Sequence, residues 1–164
     1  MEWMEELRRI LSKIPEDGEI VFLGLGNPLR GDDGIGVKIT RDLKALLEKR
    51  GSRRRIKPII VEDRVDLIPK FLRGLNPDLI IVFDAMDFGG EIGEIRFVSL
   101  PEADETISTH NIPLDLTLKL AGITAPVYVL GIQISSIEFG KPINPRVLKA
   151  CEEVIRFLSE ELIG

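Results

Sequence analysis

The stretch DLIIVFDA, residues 78–85, has five consecutive apolar residues between its two aspartates. Successive side chains of a strand point to opposite faces, so a strand apolar at every position must be covered on both sides. Parallel sheets sandwiched between helices meet that condition. Two more stretches, EIVFLGLG (19–26) and APVYVLGIQ (125–133), have the same character. Segments with a helical period lie between and around them. Trp3, Leu7, Ile10, Leu11 and Ile14 line one face of a helix expected over 2–14. GIGVKITRDLKALLEKR (34–50) resumes that period and stops at Gly51, and VDLIPKFLRGL reads as a short helix with Pro69 inside it. LDLTLKLAG closes at Gly122, and 144–162 form a last helix that starts at an Asn-Pro cap. RIKPIIVED reads as another strand, and GGEIGEIRFVSL as a hairpin or antiparallel edge strand. The alternation predicts one domain over 1–164: a three-layer α/β/α sandwich around a mostly parallel twisted sheet, of the phosphorylase/hydrolase-like kind.

Charge and cysteine content narrow the function. The net charge of −5 argues against a nucleic-acid binder, and KRGSRRR reads as a solvated helix end and loop. A single cysteine, Cys151, allows no internal disulfide and fits a reducing cytosol. The first residues carry acids where a secretory signal would be apolar, and the apolar runs are only strand-length. A cytoplasmic chain without membrane insertion is expected.

Open α/β sheets bind ligands beyond the carboxyl ends of their strands. Three groups of acids fall there: Asp32 and Asp33 in GLGNPLRGDDGIG, Glu62 and Asp63 after the second strand, and Asp84 after the third. The glycine turn fails as a dinucleotide fingerprint, because Leu29 stands where the third glycine is required, and no Gly-Lys-Ser/Thr follows it. The pocket expected is therefore acidic and cation-seeking. Capping of the next helix accounts for one of the paired aspartates but not for both. His110, the one histidine, lies in the polar stretch ISTHNIPLDL and would complete an O,O,N ligand set for nickel, zinc or another first-row divalent ion. Nucleophilic catalysis has little support: Cys151 falls on the apolar stripe of the last helix, and there is no Gly-x-Ser-x-Gly elbow.

GLGNPLRGDDGIG, LIIVFDAMDFG with GEIRF, STHNIPL and LGIQ, in that order, resemble the hydrogenase maturation endopeptidases. The last three look most like the branch that serves formate-hydrogenlyase-type and related membrane hydrogenases. The resemblance runs from about Glu19 to the last helix. It implies an endopeptidase that removes the carboxy-terminal extension from the nickel-loaded precursor of a [NiFe] hydrogenase large subunit. It also implies that Asp33, where relatives carry Glu, acts with Asp84 and His110 on a nickel ion supplied by the substrate, and that the enzyme works as a monomer. Glu62 falls at an acidic position where relatives often have Asp-Gly-Gly. Two other readings compete. GLGNP also resembles the opening of a peptidyl-tRNA hydrolase, but the acidic charge and the lack of an early histidine oppose it. The same three ligands would also suit a non-catalytic nickel-binding maturation chaperone.

Overall fold

A computed structural model of the chain describes residues 1–100 and 114–163. The elements in order are α1 (Glu2–Ser12), β1 (Glu19–Leu25), α2 (Ile35–Arg50), β2 (Arg55–Glu62), α3 (Ile68–Phe71), β3 (Leu79–Met86), β4 (Ile95–Ser99), α4 (Leu114–Leu120), β5 (Val127–Gln133) and α5 (Pro145–Leu162). Single 3-10 turns, Gly31–Gly34 and Val65–Leu67, lead into α2 and α3. The strands form one sheet in the order β2-β1-β3-β5-β4. The β1–β2, β1–β3 and β3–β5 pairs are parallel, and β4 runs antiparallel to β5 at one edge. The mostly parallel sandwich and the antiparallel edge strand expected from the sequence are both present.

The pleat explains why β3 is apolar throughout. Leu79, Ile81, Phe83 and Ala85 pack into a core with α1, α2 and α5. Ile80, Val82 and Met86 pack into a second core with α3 and α4. All eight residues of β3, Asp84 among them, are buried. At about 25 cal/mol per Å² of apolar surface, this two-sided burial dominates the stability of the centre of the sheet. The edge strands differ. β2 exposes Arg55 and Lys57 and carries Pro58, which has no N–H to donate. Beside β4, the Arg96 guanidinium lies 3.9 Å from the centre of the Phe88 ring.

α1 ends at Ser12, two residues short of the expected boundary. Ile14 precedes Pro15, which disfavours a helical conformation there, and Arg54, in the loop before β2, closes over this end. Its guanidinium donates to Leu11 O at 2.8 Å, Ile14 O at 3.1 Å and Pro15 O at 2.8 Å, satisfying carbonyls that the helix end leaves over. At the start of α5, Asn144 Oδ1 accepts from Arg146 N at 2.8 Å, with Pro145 in the first turn.

Cys151 is buried on α5, and burial, helped by the nearby Asp42 carboxylate, pushes its thiol up to about 11. A group whose folded pKa is raised contributes stability that is fully present below the ordinary pKa, 9.0 here, and is lost as pH rises towards the folded value. Two outcomes are expected. A thiol reagent at pH 8 should label the native protein only as fast as α5 opens, and labelling should become immediate in denaturant. Thermal stability should decline between pH 9 and pH 11, and a Cys151→Ala variant should lose that part of the decline.

Candidate active site

At the end of β1 the backbone turns sharply. Gly26 has φ +120°, and its N–H donates to Glu62 O at 2.9 Å. The turn then closes on itself. Asn27 N donates to Asp33 Oδ2 at 2.9 Å, Leu29 N to Asn27 Oδ1 at 2.9 Å, and Asp33 N to Arg30 O at 3.1 Å. Asp33 therefore sits at the mouth of the turn, 5% exposed, with one carboxylate oxygen accepting from the backbone of that same turn. Gly36, in the first turn of α2, lies flush against the strand ends. A Cβ there would collide with Phe83 O and Leu25 O. The glycines bring helix and strands together at the carboxyl edge of the sheet and leave the carboxylates there.

Asp32 does not cap α2, contrary to the expectation from its position. The N-cap of α2 is Gly34, which makes no side-chain capping bond. The Asp32 carboxylate reaches instead to the segment after β5. Oδ2 accepts from Ser135 N at 2.7 Å and Ser136 N at 3.2 Å, and Oδ1 accepts from Asn144 N at 2.7 Å. Its own N–H donates to Ser136 O at 3.0 Å. Asp32 is 1% exposed. β1 and β5 flank β3 in the sheet, so this clasp joins the two loops beyond the carboxyl end of β3.

Asp84 lies in the last turn of the pleat of β3. It is fully buried on the same face as Ile80, Val82 and Met86, and its Oδ1 accepts from Ala85 N at 2.8 Å. Gly24 pairs with Phe83, which puts the turn bearing Asp33 directly after the neighbour of β3. Asp33 thus lies in the turn after β1, and Asp84 near the end of the adjacent parallel strand β3, at one sheet edge. Glu62 and Asp63 end β2 on the other side of β1 and are exposed. Glu62 holds φ +61°, the one non-glycine in the left-handed region among the described residues. His110, with Thr109 and Asn111, lies outside the described residues. Among the described residues, no three His, Cys, Asp or Glu side chains form a metal-binding group.

Gln133, at the end of β5, escaped the sequence reading. Its Oε1 accepts from Phe88 N at 2.9 Å and Gly90 N at 3.1 Å, and its Nε2 donates to Asp87 Oδ1 at 3.1 Å. It pins the loop that follows β3. The Gln133 amide, followed by Gly89 N–H, holds the Asp87 carboxyl below its ordinary pKa. Both residues stand in stretches singled out from the sequence, but nothing local gives their roles, because apart from Ile134 O beside Gln133 their side-chain partners lie 43 to 112 residues away.

Comparison with known proteins gives this edge a context. The model of the hydrogenase maturation protease family HycI matches residues 62–161, more than half of the chain. The hydrogenase 3 maturation protease of Escherichia coli K12 is 29% identical over 145 residues, covering 84% of this chain and 87% of that one. Among solved structures, the [NiFe] hydrogenase maturation protease HycI from Thermococcus kodakarensis superposes with a TM-score of 0.69 at 25% identity. It covers 92% of this chain and 97% of its own. The solution structure of the endopeptidase HycI from Escherichia coli gives 0.67 at 26% identity, with coverages of 84% and 87%. Fold and sequence together define a hydrolase of the α/β class. The chain belongs to the hydrogenase maturation protease family, and its activity is that of an endopeptidase. The peptidyl-tRNA hydrolase reading of GLGNP is set aside by that assignment.

Removing the Asp32 carboxylate leaves three backbone donors without their acceptor. Asp32→Ala should cost about 3 kcal/mol or more, above the range of an N-cap. Asp32→Asn keeps the volume but turns one acceptor into a donor facing N–H groups, so it should cost nearly as much. Chemical denaturation of both variants checks this, and a loss below about 1 kcal/mol in each would contradict the clasp.

Proposed function

We propose that the chain, acting as one unit over 1–164, removes the carboxy-terminal extension from the nickel-loaded precursor of a [NiFe] hydrogenase large subunit. It reads the substrate's own nickel through Asp33, Asp84 and His110. One observation carries the reading: two buried carboxylates, Asp33 in the turn between β1 and α2 and Asp84 near the end of the adjacent strand β3, lie at the carboxyl edge of the sheet in a chain of this protease family. Ligands of open α/β sheets bind at that edge, and a carboxylate pair with one imidazole suits a first-row divalent ion. The sequence places His110 four residues before α4, which packs on the face of the sheet to which Asp84 belongs.

In this reading the residues of the chain supply positioning. The Asn27 N–H fixes one oxygen of Asp33, and the Ala85 N–H fixes one oxygen of Asp84. These backbone bonds orient one oxygen of each carboxylate, and two carboxylates together attract a divalent ion more strongly than a monovalent ion or water. Specificity for the finished precursor follows. A precursor without nickel presents no charge to offset two carboxylates, so it binds weakly. The reading places this action in the cytoplasm, as expected from the sequence; no helix among the described residues is long and apolar enough to cross a membrane.

The test is direct. The protein is incubated with a large-subunit precursor prepared with and without nickel, and the products are weighed by mass spectrometry. Cleavage of the nickel-loaded form alone is expected. Equal cleavage of both forms would remove metal recognition, and binding without cleavage would favour a chaperone. Asp33→Asn keeps an acceptor for Asn27 N while removing the charge. Together with Asp84→Asn and His110→Ala, it should lower cleavage by about 10²-fold or more while stability changes by about 1–2 kcal/mol at most.

A further inference from the structure

We infer that Leu29 and Phe139 form a fixed apolar ridge on which the precursor protein docks beside Asp33. The inference rests on the proteolytic reading above. Leu29 is 62% exposed and Phe139 is 70% exposed, and neither belongs to either hydrophobic core. Isolated exposed apolar residues are ordinary on protein surfaces. These two are not isolated. Gly140 N donates to Leu29 O at 2.8 Å, and Arg30 Nε donates to Ile137 O at 3.3 Å, so the tips of two loops are zipped together. Below the tips, Asp32 ties the same loops through Ser135, Ser136 and Asn144.

The ridge is therefore apolar surface held out in water on ordered backbone. Its ordering cost is met by folding, and binding need not supply it again. Arg30 and the Glu138–Lys141 ion pair, with N–O 2.9 Å, surround it with charge, an apolar centre within a polar rim. A small molecule binds in a concavity that covers most of its surface. Two side chains this exposed offer the reverse shape, which is buried only by a larger partner. The position of the ridge selects that partner. Leu29 stands four residues from Asp33 on the same turn, closed by hydrogen bonds, so a polypeptide that brings its nickel to Asp33 comes up against the turn that carries Leu29. The occupant is the precursor, presenting an apolar patch next to its metal.

The experiment uses a Leu29→Ser/Phe139→Ser double variant and the nickel-loaded precursor. Contacts that bind substrate and transition state equally raise KM and leave kcat in place. KM should rise about tenfold or more, with kcat within about threefold of the parent and an unchanged thermal midpoint. An unchanged KM, or a fall in kcat alone, overturns the ridge. So does finding that the parent is a dimer which the double variant makes monomeric, because the ridge would then face a second copy of this chain. If the parent fails to cleave at all, the proteolytic reading fails by itself. Calorimetric titration of the same precursor then decides the ridge: tenfold weaker binding by the double variant upholds it, and equal binding ends it.

Discussion

The buried carboxylate of Asp32 holds together two loops whose contacting residues lie more than a hundred positions apart in sequence. Everything proposed for the site depends on that clasp. A parallel sheet delivers its strand ends to one edge but does not order the loops that leave them. Here β1 and β5 lie on either side of β3, and their loops are joined across its end by one anion and three backbone donors. A charged acceptor makes such bonds stronger than neutral pairs, and its burial makes any alternative arrangement costly. Asp33, the next residue, inherits a fixed direction from it.

Division of labour between the neighbouring aspartates follows from the tight turn. Asp32 faces the β5 loop, while Asp33 faces back across its own turn to Asn27. One carboxylate is used for architecture, and the other is held at the carboxyl edge of the sheet by its own turn. Gly36 makes the arrangement compact, since α2 meets the carbonyl of Phe83 with no side chain between them.

The fold was legible because its signals are local or periodic. An apolar run such as 79–83 demands cover on two faces, and the period of α2 and α5 says what supplies it. The place of Asp84 near the end of β3 was legible as well, since an acid that closes an apolar run follows from the strand itself. The function of Asp32 was not. Its position before a helix is that of a cap, and only the tertiary path of 135–144 turns it into a clasp. Gln133 was invisible for the same reason, because a glutamine at a strand end has no signature until the loop of residues 87–90 folds against it. α1 stops short of Pro15, and Arg54, some forty residues away, closes over the carbonyls at that end. Long-range polar contacts are what sequence periodicity cannot carry.

Pro58 has a consequence beyond its own strand. It stands in β2 opposite Phe22, on the border of the sheet away from β4, with basic side chains near it. A strand arriving from another molecule would find a missing donor there and a positive charge to bury. Sheet-to-sheet growth through that side is disfavoured, and Pro58 and its basic neighbours leave β2 to close the sheet there.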